Sequence, residues 1–199
     1  MKQRLALLAG DTRGATIVEF ALVVPVLLTM IFGLLDLAHN MYTAQMLQGA
    51  IQKAARDSTI EGASANAPQL NQNVTKAVTA IAPGSTLTFS RKSYSNFSNV
   101  AKPEDFTDAN TNGTCDGGEA YEDANSNGAW DIDVGNAGFG SARDATLYQV
   151  TVTYNRLFPI AAFIPGQAKT ITMTAATVLR NQPYSASNAA SAPGVGNCP

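Results

Sequence analysis

Charge is scarce in this chain. Asp, Glu, Lys and Arg make up 14% of its 199 residues, against about 25% in an ordinary soluble domain. The net charge of −2 provides no overall basic footprint, which argues against nucleic-acid binding through a general electrostatic field. A single histidine, His39, and two cysteines are few ingredients for His-based catalysis or a zinc site. Neither G-x-S-x-G nor H-E-x-x-H occurs, so no nucleophile elbow and no zinc-protease helix is written in the sequence. The expectation is a protein that performs no chemistry of its own. A secreted metalloenzyme would need a nucleophile and an open catalytic position that the sequence does not offer.

What the chain has instead is a long apolar run. Residues 1–14, MKQRLALLAGDTRG, carry Lys2, Arg4 and Arg13 against one acid, Asp11. Residues 20–35 carry no charge, and the run extends back to Ala15 with Glu19 as its one interruption. A helix over 15–35 spans about 30 Å, the thickness of a hydrocarbon core. A cleaved secretory signal fits poorly, because the run starts late and Asp36-Leu37-Ala38-His39 is not a small-residue cleavage site. A signal anchor explains the apolarity and the upstream positive charge. It does not explain Glu19. A carboxylate near a bilayer core costs about 2.5–3.5 kcal/mol on insertion scales, so it needs a partner unless it stays hydrated among the headgroups.

Beyond the apolar run, Leu34, Leu37, Ala38, Met41, Ala44, Gln45, Gln48, Ile51 and Ala55 recur at steps of three and four. This spacing predicts one helix over 15–57 whose second half packs an apolar face on a head. Pro25 predicts a kink or local opening. His39 reads as an interfacial structural residue. Residues 58–68 read as a linker, and 70–81 as a helix stopped by Pro83-Gly84. Strands are expected over 85–91, 146–154 and 169–179. Tyr148, Val150, Val152 and Tyr154 share one face of the second strand, and Ile171, Met173 and Ala175 share one face of the third. Threonines on the opposite faces predict a solvated side. The apolar segment 157–165 reads as a loop over the core or a surface patch, and 183–199 as a loose tail. The fold class is α+β: a long N-terminal helix followed by a small antiparallel-sheet head.

The segment RGATIVEF, residues 13–20, resembles the processing site of type IV pilin-like proteins, with a G-x-x-x-x-E-F spacing through Gly14, Ala15, Glu19 and Phe20. Residues 13–57 as a whole resemble the TadE-like pseudopilins of the Tad (Flp) pilus machinery. That resemblance implies a leader over 1–14, a transmembrane and stem helix over 15–57, and an extracytoplasmic head over 58–199. It implies cutting after Gly14 by a prepilin peptidase. Cutting would place a new ammonium on Ala15, one helical turn from Glu19, as the counter-charge on the same or a neighbouring subunit. The implied partners are that peptidase, other Tad pilus subunits, the inner-membrane assembly platform and the membrane itself. The implied location is the bacterial inner membrane with the head in the periplasm, or an extracellular pilus. A membrane-anchored adhesin outside any filament is the alternative.

The head carries an acidic insert. Residues 104–133 hold nine of the fifteen acids, and no Lys or Arg stands between Lys102 and Arg143. Within the insert FTDANTNGTCD, residues 106–116, aligns with YEDANSNGAWD, residues 121–131. Each copy fits the calcium-loop pattern D-x-[DN]-x-[DN]-G-x-x-D. The first loop offers Asp108, Asn110, Asn112, the Thr114 carbonyl and Asp116, with Glu119 at position twelve. The second offers Asp123, Asn125, Asn127, the Ala129 carbonyl and Asp131. Position twelve there is Val134, and Asp133 is off by one. Such hard oxygen donors favour Ca²⁺ over transition metals. The bland reading is a solvated acidic loop with two Asn-Gly turns. Cys115 and Cys198 suggest one disulfide in an exported head, with free or intermolecular thiols as the alternative.

Overall fold

The computed structural model describes residues 13–183 and 193–199. The leader expected over 1–12 and residues 184–192 of the tail lie outside the described residues, as do the side chains of Gly14 and Ala15. Helix α1, Arg13–Asp57, runs for 45 residues, about 68 Å at 1.5 Å per residue. It continues through Pro25. Proline offers no N–H to the preceding turn, and the Thr29 hydroxyl donates to the Pro25 carbonyl at 2.7 Å.

The two halves of α1 meet different surroundings. None of residues 16–35 is buried within the chain, whereas Leu47, Ile51, Ala54 and Ala55 are sealed in the core of the head. Helix α2, Ala67–Thr79, begins with Pro68 in its first turn, where the missing N–H costs nothing. It buries Leu70, Val74 and Val78 against α1 and the sheet.

The strands are β1 Thr86–Tyr94, β2 Ala120–Asp123, β3 Asn136–Ala137, β4 Ala145–Asn155, β5 Thr170–Arg180 and β6 Gly194–Asn197. Four form one sheet in the order β3-β1-β4-β5. The β1–β4 pairing runs from Thr86 opposite Thr153 to Tyr94 opposite Ala145, antiparallel, and β4–β5 from Ala145 opposite Arg180 to Asn155 opposite Thr170. Alternation puts Tyr148, Val150, Val152 and Tyr154 inward, where all four are buried with Leu47 and Ile51 in one cluster. The outer face carries the expected threonines. Thr151 and Thr174 share a hydroxyl hydrogen bond of 2.9 Å, and Thr153 and Thr172 one of 3.0 Å.

Three elements differ from the sequence expectation. The stripe through Leu34, Leu37 and Met41 does not face the head: these residues are 69%, 57% and 62% exposed. The head instead covers Asp36, Asn40 and Thr43, because this length of helix has two apolar demands and gives its large side chains to the outer one. The tail is not wholly loose, since β6 pairs antiparallel with β2. Its sequence, Gly-Val-Gly-Asn, has little apolar alternation. Backbone bonds and a close approach hold it, for a Cβ at Gly196 would overlap the Tyr121 ring. Segment 157–165 carries a short helix, α3 Ile160–Phe163, that lies against α1.

At the junction of stem and head sits a polar lock. Asp36 is 3% exposed, pairs with the Arg156 guanidinium, and accepts from Asn40 Nδ2 at 3.0 Å. The Tyr154 hydroxyl donates to Asn40 Oδ1 at 2.8 Å. Asp36 Oδ1 is buried with no hydrogen-bond partner among the described residues, so Asp36 depends on Arg156 for neutralisation. Removing one member of a buried pair leaves an uncompensated charge and costs about 3–5 kcal/mol. Arg156→Ala is therefore expected to destabilise the head by roughly 3 kcal/mol. Asp36→Asn should cost less, because the Arg156 guanidinium is the more exposed partner and keeps the Ala168 carbonyl and Gln167 amide as acceptors. Denaturant melts of the full chain in detergent micelles check both.

Candidate functional site

The acidic insert folds as two congruent loops. In the first, Asp108 Oδ1 accepts from the Asn112 N–H at 3.1 Å and Oδ2 from the Gly113 N–H at 2.9 Å. In the second, fifteen residues on, Asp123 Oδ1 accepts from the Asn127 N–H at 3.1 Å and Oδ2 from the Gly128 N–H at 3.0 Å. Asn110 and Asn125 each accept from the N–H two residues ahead, at 3.0 and 3.1 Å. Their amides donate to Asp116 at 3.0 Å and Asp131 at 2.7 Å. Even the backbone repeats: Thr111 and Ser126 have φ of 58° and 60°, and Gly113 and Gly128 have 76° and 78°. The two Asn-Gly turns need a left-handed residue at the glycine, which only glycine adopts without strain.

Each loop thus ties two aspartates and two asparagines into one hydrogen-bonded network. In the first, Asn112 and Thr114 also donate to Asp116. The bonds from Asn112, Asn110 and Thr114 hold the Asp116 carboxyl below the usual carboxylate range. All donors to a cation here would be oxygens of carboxylates, amides or backbone, the set that suits a hard cation. Among the described residues no group of three or more His, Cys, Asp or Glu side chains makes a metal site, and asparagine amides supply half of each loop's polar side chains in this network. The residues fit a calcium ion by donor chemistry. The asparagine amides would have to turn their oxygens inward to join it.

Glu119, expected at position twelve of the first loop, and Asp133, one residue short of it in the second, have different partners in the structure. Glu119 braces the first loop: Oε1 accepts from the Ala109 N–H at 2.8 Å and Oε2 from the Asp116 N–H at 3.4 Å. In the second loop the same two places are filled by Glu104. Its Oε1 accepts from the Ala124 N–H at 2.9 Å and its Oε2 from the Asp131 N–H at 3.1 Å. Asp133 takes no part. It pairs with Lys92 at 2.7 Å and accepts from the Tyr94 hydroxyl at 2.9 Å, which docks the insert on the sheet.

Glu104 was not among the sequence candidates, since a fixed twelve-residue motif looks only downstream. The signal that finds it is the period itself, because Glu104 precedes Glu119 by fifteen residues. The exchange arises from an antiparallel bridge. Phe106 opposes Tyr121, Thr107 N–H donates to Ala120 C=O at 2.8 Å, and Glu122 N–H donates to Asp105 C=O at 2.8 Å. This pseudo-twofold pairing carries each repeat's leading glutamate onto the other repeat's loop. Glu104 is 3% exposed, with its carbonyl capped by Trp130 Nε1 at 3.0 Å.

The tail closes the module. Cys115 and Cys198 form a disulfide with Cα atoms 5.3 Å apart. Cys198 N–H donates to Glu119 C=O at 2.7 Å, and Gly117 N–H to Pro199 C=O at 3.1 Å. At the other end of the molecule, Glu19 and Phe20 lie exposed on α1, and the backbone of Gly14 and Ala15 forms its first turn.

The reciprocal arrangement separates the two loops experimentally. Glu104→Ala should speed amide hydrogen exchange at Ala124 and Asp131 by roughly tenfold or more, the equivalent of one lost charge-assisted bond. Ala109 and Asp116 should hardly change. Glu119→Ala should do the reverse. Exchange followed by fragment mass spectrometry reads both.

Residues 14–56 match the family model described as TadE-like protein. No curated protein and no solved structure matches the chain. The matched residues lie within α1 and include Gly14, Glu19, Phe20, the exposed apolar half and the Leu47–Ile51 face that carries the head. Over this stem helix the chain is similar to TadE-like proteins, a match that is consistent with a protein of Tad pilus systems.

Proposed function

We propose that the chain is a minor pilin or pseudopilin, a structural subunit or assembly factor of a Tad pilus, cut after Gly14 and anchored by α1 with its head outside the cytoplasm. The observation that carries this reading is the TadE-like stem. Its one acid among the apolar residues, Glu19, stands five positions after Gly14, where a new Ala15 amine would meet it. The part played is mechanical, and the chain's own chemistry is limited to being the substrate of a prepilin peptidase. Mass spectrometry of the mature N-terminus in cells that hold the peptidase tests it. The chain should begin at Ala15, and Gly14→Glu should leave it uncut. Glu19→Val should insert in the membrane as well as the parent, because it removes a charge penalty, yet fail to enter filaments. Insertion and assembly are read by membrane fractionation and by the yield of sheared pili. A mature chain that keeps Met1 would mean an anchored adhesin outside the filament.

The paired loops extend the proposal to calcium, held by Asp108, Asn110, Asn112, Thr114 and Asp116 with Glu119, and by Asp123, Asn125, Asn127, Ala129 and Asp131 with Glu104. The ion would supply positive charge among these carboxylates. Extracellular calcium modules work in the 10⁻⁴–10⁻³ M range. An ion in tenfold excess over its dissociation constant adds about 1.4 kcal/mol by linkage. The full chain in detergent should therefore melt higher in millimolar Ca²⁺ and lose the gain with chelator. Asp108→Ala and Asp123→Ala should each remove part of it, because the glutamate exchange makes the two loops equivalent. An unchanged melting temperature would return the insert to a hydrogen-bonded acidic loop pair.

A further inference from the structure

We propose that segment 157–165, the turn between β4 and β5, is a second membrane-contacting element that enters the head-side leaflet beside the stem helix. The inference rests on α1 crossing a bilayer. It adds a lipid-binding site on the head itself.

Three observations place the segment at membrane depth. First, its contacts on α1 lie inside the uncharged run. Phe32 stacks with Phe158 at 6.3 Å and with Phe163 at 6.1 Å between ring centroids, and Ile160 Cδ1 lies 3.5 Å from where a Cβ on Gly33 would stand. Phe32 precedes Asp36, the first charge past the run, by one helical turn, about 6 Å along the axis. Any bilayer plane that keeps the run in hydrocarbon brings this turn to the acyl boundary, within the roughly 5–10 Å depth of interfacial elements.

Second, the turn is apolar on its free side. No charged residue stands between Arg156 and Lys169. Leu157 is 60% exposed and Phe163 45% exposed, at the level of Leu34 and Leu35 on α1, which are 69% and 44% exposed. Ile160 is buried against the stem, so the turn is fixed in place and not swinging free. Third, the charge nearest this level is neutralised: Asp36 is paired with Arg156 and enclosed. Lys169, at the far end of the turn, is exposed and suits lipid phosphate. Apolar side chains, a neutralised junction and an exposed lysine together match a lipid surface, with acyl chains below and phosphates above.

The test uses the full chain in vesicles of phosphatidylcholine with a minor share of phosphatidylglycerol. Trp130→Phe removes the native emission, and single tryptophans are then introduced as Phe163→Trp, Leu157→Trp, Leu27→Trp and Thr172→Trp. Lipids are brominated near the headgroup end or near the tail end of the acyl chain. Leu27→Trp reports the crossing helix and Thr172→Trp the outer sheet face. Both turn variants should lose about half their emission with headgroup-end bromines and less with tail-end bromines, as an interfacial depth requires. Leu27→Trp should be quenched most by the tail-end lipid and Thr172→Trp by neither. Quenching of Leu27→Trp without quenching of either turn variant would overturn the proposal and leave the anchor standing. Blue-shifted turn emission that bromolipid does not quench would mean that a second copy of the chain covers the turn, and would overturn it too. An unquenched Leu27→Trp would overturn the anchor and the turn together.

Discussion

The fold depends on the packing of the stem's second half against the inner face of the sheet. Leu47 and Ile51 from α1 meet Val150 and Val152 from β4, and all four are essentially inaccessible to water. Deleting one such side chain would cost about 2–5 kcal/mol, a large share of a small domain's stability. The head therefore has no core without the helix, and residues 36–57 belong to it as much as any strand does. Because α1 is continuous, the same helix that completes the core fixes how far the head stands from its apolar half.

The Asp36–Arg156 lock stands where these two roles meet. Buried ion pairs add little net stability compared with apolar packing, but they specify register. Here the register is that of the β4–β5 turn along α1. Sliding the head by one helical turn would strand Asp36 beside apolar side chains and leave Arg156 unpaired. The lock thus sets which residues of the head lie at the level of Phe32 and Gly33. The placement of the apolar turn follows from it.

The strands were legible because Thr/Val alternation has a period of two and the head buries one face only. The outer threonine ladder and the Tyr148–Tyr154 face both follow from that pattern. The second half of α1 was less legible. Between residues 34 and 45 large apolar side chains point away from the head while Asp36, Asn40 and Thr43 point toward it. A pattern that seeks apolar stripes joins two different faces into one. β6 could not be read at all, since Gly-Val-Gly-Asn is held by backbone bonds, a glycine under Tyr121 and a disulfide, none of which has a periodicity. The paired Asn-Gly turns of the acidic insert were legible from its fifteen-residue repeat. The bracing of the second loop by Glu104 was not, because the exchange between repeats is a property of their pairing and not of either motif.

The insert solves a problem of its own composition. With nine acids and few apolar residues it cannot bury a core, so it is held by constraints of other kinds. The disulfide closes a separation of 83 residues, worth about 4.5 kcal/mol in the chain-entropy model. Val134 packs with Tyr94 and Ala145 in a small second cluster, and Asp133 reaches Lys92 and Tyr94. Burial pushes the Asp133 carboxyl up, but the Lys92 ammonium, the Gly135 N–H and the Tyr94 hydroxyl outweigh it and hold it below the usual carboxylate range. Burial first, and then the bond to Asp133, push Tyr94 up to about 12. A carboxylate with a depressed folded pKa contributes stability above its unfolded pKa and loses it as pH falls through the folded value. A phenol with a raised pKa contributes while it stays protonated and loses that contribution as pH rises through the folded value. The docking bond between insert and sheet is therefore intact from the carboxylate range up to strongly alkaline pH. It yields only in acid below the ordinary carboxylate range, where Asp116 loses its charge as well.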